Sequence, residues 1–283
     1  MGNARYMNWL VLLRAFLSIG AMREWLDVLI LGVIEGVTEF LPISSTGHML
    51  LAKEWLRYKP DELFLAVVQS GAVLAVLMVF TDRMRQIARD WRERETQQFV
   101  FKLAAAFLVT ALGGLVLKKL DFELPEDPTP VALATLIGGI LILWIEWMIR
   151  GKNLQDTVTW PVALAIGAGQ LLAVIFPGLS RSGTAIMLGL ALGIARRPAT
   201  EFSFLLGIPT LLSAGALKSY EALRESQITV DWLLIAWGTL IAAVTAFIAV
   251  KWLLRFVQSH TFNGFGWYRI ILGIAILLAI QFG

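Results

Sequence analysis

Between Glu35 and His48 the chain reads Glu-Gly-Val-Thr-Glu-Phe-Leu-Pro-Ile-Ser-Ser-Thr-Gly-His. Two carboxylates, the hydroxyls of Ser44, Ser45 and Thr46, and one of only two histidines lie in this single stretch. Glu35 and Glu39 are one helical turn apart, so they share a face. Such a pair could hold a divalent cation, Mg2+ or Ca2+, or share one proton between two carboxyls. The hydroxyls lie between the acids and His48, and nucleophile, base and orienting carboxylate need this trio of types. Ser and Thr also serve as turn and N-cap residues, which is the plainer role for any one of them. Gly47 allows close backbone approach, and a helix beginning at His48 would aim its first amides at an anion.

A second polar stretch, Pro177-Gly-Leu-Ser-Arg-Ser-Gly183, complements the first. Arg181 is the single charge between Trp160 and Ala195, set between Ser180 and Ser182 and followed by Gly183. It could neutralise the two acids. Its planar fork also suits phosphate oxygens, and in phosphoryl transfer the neutralisation of those oxygens is most of the catalysis. Gln69 and Ser70 interrupt a later apolar run, either as packing polars or as a second line of contacts behind the site. His260 stands in a loop and is expected to be structural.

The elements that hold these groups are apolar. Hydrophobic residues make up 58% of the 283, and only 16% are charged, against about a quarter in soluble domains. Mean hydropathy is +0.72. Several runs approach the ~20 residues that span a bilayer as a helix. A spanning backbone must bond internally, and without the alternation of barrel strands the runs are helices. The fold class is therefore an all-α polytopic membrane protein, with one membrane domain over residues 22–283. Residues 1–21 read as a leader or extra segment that the domain does not need. No cysteine is present, which removes disulfide and thiolate chemistry, and eleven tryptophans suit interfacial belts. The net charge of +3 is small, and no nucleic-acid partner and no organic cofactor are expected. Membrane lipids are expected neighbours, and a homodimer is left open.

Trp25–Leu41 stops at Pro42, and His48–Leu56 is too short to span. Together they read as a re-entrant helical hairpin, tolerated where its turn is buried or lines a cavity. Glu62–Phe80, Phe99–Leu117 and Val131–Ile149 follow as spans, with 81–98 as a polar loop. Trp160–Phe176, broken at Pro177, and the run to Leu192 form a second hairpin. Phe202–Leu217, Trp232–Leu254 and Trp267–Phe282 complete the set. The loop bearing Arg83, Arg85, Arg89, Arg92 and Arg94 belongs in the cytoplasm by the positive-inside rule. That places Arg150, Lys152, Arg196, Arg197, Lys251 and Arg255 on the same side. Lys118, Lys119, Lys218 and Arg224 fall opposite, together with the acids Asp121, Glu123, Glu126 and Asp127.

Gly32, Glu35 and Pro42 recur as Gly167, Gln170 and Pro177, each 135 residues later. Allowing Gly178 as an insertion, Ser44-Ser45-Thr46-Gly47-His48 lies over Ser180-Arg181-Ser182-Gly183-Thr184. Each half, about 25–149 and 159–282, is then a hairpin followed by three transmembrane helices. Three is odd, so the second half enters from the opposite face. This is an inverted-topology repeat, with a site expected where the broken helices meet near the midplane.

At these residues the chain resembles the undecaprenyl diphosphate phosphatase family, the bacitracin-resistance membrane proteins of bacteria. Glu35-Gly-Val-Thr-Glu39 is similar to its acidic motif, Leu41-Pro-Ile-Ser-Ser-Thr-Gly-His48 to the segment after it, and Pro177–Gly183 to its second motif. Glu201-Phe-Ser-Phe-Leu-Leu resembles a further family stretch. In one departure, the family's second motif often has a Thr two residues after its final Gly, where this chain has Ala185. Thr184 precedes it, and its role is left unassigned.

The resemblance implies an inverted-repeat fold and hydrolysis of a C55 polyprenyl diphosphate to the monophosphate, which recycles the lipid carrier of cell-wall synthesis. The protein would sit in the bacterial cytoplasmic (inner) membrane, its site open to the outer face. Glu39, Ser45, His48 and Arg181 would be catalytic. Glu35, Ser44, Thr46, Gly47, Gln69, Ser180, Ser182 and Gly183 would bind substrate, with Glu35 and Glu39 also the candidate metal ligands. Three routes stay open: Ser45 attacking with His48 as base, His48 attacking directly, or water activated by Glu39 or a metal. The rival readings are a polyprenyl-phosphate transporter or flippase using the same midplane site, and a membrane scaffold.

Overall fold

The structure, a computed structural model, describes residues 19–56, 60–120, 127–224 and 231–282. The leader up to residue 18 and the acids Asp121, Glu123 and Glu126 lie outside the described residues. Among those described there are eleven helices and no strand: α1 (Ile19–Thr38), α2 (Ser45–Trp55), α3 (Glu62–Val79), α4 (Thr81–Arg89), α5 (Arg94–Lys119), α6 (Thr129–Met148), α7 (Trp160–Ile175), α8 (Arg181–Ala191), α9 (Arg196–Arg224), α10 (Trp232–Phe256) and α11 (Asn263–Phe282).

Five of these, α5, α6, α9, α10 and α11, are long and apolar enough to cross a membrane, and α3 with α4 makes a sixth candidate bent by 62°. These correspond to the six expected spans. Large side chains such as Leu108, Leu112, Val244, Ile248 and Ile271 are more than half exposed on them. On a helix bundle in a bilayer that outward apolar face meets lipid rather than water.

The remaining long-axis elements are the broken ones. Helices α2 and α8 have 11 residues each. At 1.5 Å per residue they reach about 16 Å, half of a ~30 Å hydrocarbon core. Each therefore turns back inside the bundle with its partner, α1 or α7. Proline marks both breaks, since Pro42 and Pro177 follow the last helical residues of α1 and α7 by a few positions. The expected polar loop at 81–98 is different from the expectation: α4 makes it helical, with Arg83, Arg85 and Arg89 on a strongly amphipathic turn that buries nothing.

Packing frames the two hairpins. Helix α1 lies on α10 and α7 lies on α5, while α3 packs against α9 and α6 against α11. Small residues set these distances, as in other membrane bundles. A Cβ at Gly32 would lie 2.9 Å from the Gly238 carbonyl oxygen, and one at Gly139 would lie 2.6 Å from that of Gly266. Helices α1 with α10, and α6 with α11, thus touch backbone to backbone. The main apolar core runs through both hairpins, joining Phe40, Leu41 and Ile43 to Ile186, Met187 and Leu190.

Candidate active site

The two hairpin turns have the same local geometry. Ser44 (φ 73°) and Ser180 (φ 66°) are the two non-glycine residues with positive φ among the described residues. That region costs an L-residue energy and persists where surroundings over-determine it, often at functional sites. Each serine is the N-cap of the returning helix. Ser44 Oγ accepts from the Gly47 amide and Ser180 Oγ from the Gly183 amide, both at 3.2 Å. The helix after the first turn begins at Ser45 rather than at His48. The leading amides are therefore those of Ser45 and Thr46, and the His48 amide already bonds back to the Ser44 carbonyl at 3.4 Å.

Glu39, 7% exposed, joins the two turns. Its Oε2 accepts from Ser45 Oγ at 2.9 Å, and its Oε1 accepts from Arg181 Nη2 at 3.0 Å. Arg181 is held from behind by α9: Nη1 donates to Thr210 Oγ1 at 2.7 Å and to the Gly207 carbonyl at 3.4 Å. Ser182 Oγ lies 3.2 Å from the carbonyls of Glu39 and Leu41 and 3.2 Å from Ser180 Oγ, which fastens the second turn to the first. Glu35 is 1% exposed one helical turn before Glu39, whose backbone amide donates to the Glu35 carbonyl at 2.9 Å, and among the described residues its Oε1 has no hydrogen-bond partner. Glu39, Ser45, Thr46, Gln69, Ser180 and Arg181 line one cavity of about 190 Å³ together with Gln170, Gly178 and Leu211. Six of the twelve candidate residues therefore line one cavity, across an Arg–carboxylate pair 142 positions apart in the chain, while Glu35, Ser44, Gly47, His48, Ser182 and Gly183 are outside its lining.

His48 does not join them directly. Its Nδ1 is 2.7 Å from the Ser44 carbonyl, and its Nε2 is 2.7 Å from the hydroxyl of Tyr268, on which its ring stacks. With Nδ1–H donating to the carbonyl, Nε2 of the neutral ring accepts from Tyr268. It is outside the lining of the cavity that Glu39 and Ser45 share. Thr184 likewise points elsewhere, its Oγ1 donating to the Ser180 carbonyl at 2.9 Å. Ser70 donates to the Ala66 carbonyl at 2.9 Å, a packing role, while Gln69 faces the site. His260 stacks on Phe256 and contacts Ser259 at the surface, as expected of a structural histidine.

Arg269 was not foreseen. It is 1% exposed, and among the described residues it donates only to backbone carbonyls. Nη1 reaches Leu179 at 2.8 Å and Pro42 at 3.4 Å, Nη2 reaches Gly178 at 2.8 Å and Ala134 at 3.3 Å, and Nε reaches Thr135 at 3.2 Å. One guanidinium thus ties both turns to α6. Its sequence signal was a lone cation inside the apolar run of α11, a helix with no acidic residue.

Residues 28–275 match the family described as bacitracin resistance protein BacA. This protein belongs to that family. An undecaprenyl-diphosphatase of Rhizobium etli (strain CIAT 652) is 44% identical over 256 residues, covering 90% of this chain and 96% of the relative. That of Xylella fastidiosa (strain 9a5c) is 43% identical over 258 residues, covering 90% and 98%. That of Xanthomonas oryzae pv. oryzae (strain PXO99A) is 42% identical over 259 residues, covering 91% and 97%.

In this BacA-family chain the candidate metal ligands are two. Among the described residues no group of three or more His, Asp or Glu side chains could hold an ion. Glu39 is occupied at both oxygens, and Glu35 Oε1 is buried without a partner. A divalent cation would fit as one that draws most of its ligands from substrate oxygens and water, the habit of Mg2+. A larger cavity of about 690 Å³ lies at the far end of α6, lined by Glu146, Arg150, Lys152, Arg196, Trp147 and Trp267 among others. None of the motif residues reaches it, and size does not make it the reactive site.

Proposed function

We infer that the protein hydrolyses undecaprenyl diphosphate to undecaprenyl phosphate and inorganic phosphate. The observation that carries the chemistry is the Glu39 carboxylate, held between Ser45 Oγ at 2.9 Å and Arg181 Nη2 at 3.0 Å. Nucleophile and base in contact, with a guanidinium beside them, is the pattern of an activated hydroxyl facing a phosphate. The diphosphate displaces Glu39 from Arg181 and takes the guanidinium fork for its own oxygens. Glu39, freed of its cation, takes the proton of Ser45 as Oγ attacks the terminal phosphorus. The bond to the bridging oxygen breaks and undecaprenyl phosphate leaves as the anion. Water then attacks the phosphorus of the phosphoserine, the bond to Ser45 Oγ breaks, Glu39 returns its proton to that oxygen, and phosphate leaves. A cation held by Glu35 and Glu39 would neutralise diphosphate oxygens that Arg181 does not reach.

The other motif residues shape this site. Ser44 and Ser180 cap the helices that present Ser45 and Arg181, and Gly47 and Gly183 supply the capped amides. Thr46 and Gln69 line the cavity where the head group sits. His48 acts through the first turn, fixing the Ser44 carbonyl next to the reacting hydroxyl. The two halves form an inverted repeat. In support, exchanging each element of one half for its counterpart in the other maps the α1–α10 contact onto α7–α5, and leaves the α3–α9 and α6–α11 contacts in place. The chain lies in the bacterial inner membrane with the site open to the outer face, a reading supported by Arg150, Lys152 and Arg196 gathering at one end.

A polyprenyl-phosphate carrier is the weaker reading. It would use Arg181 but has no need of a carboxylate on the Ser45 hydroxyl. Purified protein in detergent, given undecaprenyl diphosphate, is expected to release one phosphate per lipid. No release from folded protein would end the phosphatase reading.

A further inference from the structure

We propose that Gln170 is a substrate-contacting residue, its amide donating to an oxygen of the terminal phosphate beside Arg181 while its carbonyl accepts from the water of the second step. Three buried side-chain polar atoms lack a hydrogen-bond partner among the described residues, namely Glu35 Oε1 and both Nε2 and Oε1 of Gln170. Gln170 is 1% exposed on α7, a helix whose other side chains are apolar apart from Trp160. Burial of an amide with neither end bonded is strongly unfavourable. Native chains rarely keep such a group without a ligand, an ion or a functional use.

Its position says which ligand. Gln170 is in the wall of the cavity lined by Glu39, Ser45 and Arg181, and on the opposite hairpin from Glu39 and Ser45. It occupies the place in the second hairpin that Glu35 has in the first, 135 residues earlier. The exchange of carboxylate for amide matters beside a diphosphate. A second carboxylate on the Arg181 side would repel the substrate, whereas an amide offers one donor to an anion and one acceptor to a water or hydroxyl. The last torsion of a glutamine side chain is broad, so the amide plane can turn to meet both. Arg181 has its Nη1 committed to Thr210 and Gly207, and Gln170 supplies a donor to phosphate oxygens that the fork leaves uncovered.

The inference rests on the phosphatase reading, and its test separates the two. Gln170→Met keeps length and volume but removes both polar ends, and Gln170→Leu is a second apolar replacement should the first misfold. Three quantities are read in detergent: melting temperature without ligand, the rise in melting temperature caused by inorganic diphosphate, and phosphate release from undecaprenyl diphosphate. The variants are expected to melt at or above the wild-type temperature, because they remove unpaired buried groups. The rise with diphosphate is expected to shrink, and kcat/KM is expected to fall about ten- to a hundredfold, the worth of one hydrogen bond to a charged group.

A fall in melting temperature for both variants, with activity lost only in proportion to folded protein, would make Gln170 a structural residue and overturn the proposal. So would unchanged turnover with an unchanged diphosphate response. If wild-type protein releases no phosphate, the phosphatase reading fails on its own, and the diphosphate response still decides whether Gln170 contacts the anion.

Discussion

Two arginine–carboxylate pairs with buried carboxylates cross this bundle, and they are built differently. In one, Glu146 on α6 takes the Arg196 guanidinium in a two-point contact, with Nε–Oε1 at 2.9 Å and Nη2 on Oε2, and Oε1 also accepts the Phe262 amide at 2.8 Å. The carboxylate is 4% exposed and fully engaged, and the pair locks the start of α9 to the α10–α11 turn. In the other, Glu39 meets Arg181 through a single contact and spends its second oxygen on a serine hydroxyl. Among the described residues two unpaired buried groups accompany it, Glu35 Oε1 one helical turn away and the Gln170 amide in the wall of the cavity. A pair that fastens helices closes its valences on protein. A pair that is to open for an anion keeps partners it can exchange and leaves neighbours waiting.

That contrast yields variants whose effects should fall in opposite columns. The largest loss of turnover is expected at Arg181 and Glu39. Glu39→Gln, nearly isosteric, should cut phosphate release per folded molecule by roughly 10²–10⁴-fold, the usual worth of a general base. Arg181→Lys should fail almost as badly, because an ammonium lacks the planar fork. Near-normal turnover there would show that only the charge matters. Glu146→Gln reverses the pattern. Loss of the carboxylate removes the two-point contact and the acceptor of the Phe262 amide, about 1–3 kcal/mol of stability read as a lowered melting temperature, while turnover per folded molecule is retained.

Intermediate effects are expected where one residue positions another. Tyr268→Phe removes the hydroxyl 2.7 Å from His48 Nε2, and His48→Gln removes the ring itself. If His48 acts through the Ser44 turn, Tyr268→Phe should cost no more than about tenfold in kcat, one hydrogen bond's worth, and leave KM alone. A loss as deep as that of Glu39→Gln would place His48 among the reacting groups. The smallest effect is expected from removing residues 1–21. Activity should survive, and its loss would make that segment part of the domain.

How much of this was legible beforehand depended on range. The half-length helices, the prolines that break them and the paired serine turns are local patterns, and they stand in the structure where they were expected, with the first helix beginning at Ser45. The meeting of Glu39 with Arg181 came from laying Pro42 over Pro177, and the structure joins them. What stayed hidden depends on contacts no spacing encodes. Arg269 drew no reading from the sequence, because the five carbonyls that use it come from Pro42, Ala134, Thr135, Gly178 and Leu179. His48 was expected beside Ser45 by sequence proximity, yet its ring leans away toward Tyr268, 220 residues on. Helix α4 was hidden by its charge, since five arginines in 81–98 mark a loop by composition while its periodicity is helical.

The central claim, that two hairpins share one reactive pair, is tested most directly by a double-mutant cycle. Phosphate release from undecaprenyl diphosphate is measured for wild type, Glu39→Gln, Arg181→Gln and the double variant. One unit of chemistry predicts that the double variant is no slower than the worse single. Losses that multiply would mean that Glu39 and Arg181 act separately, and the shared site would be wrong.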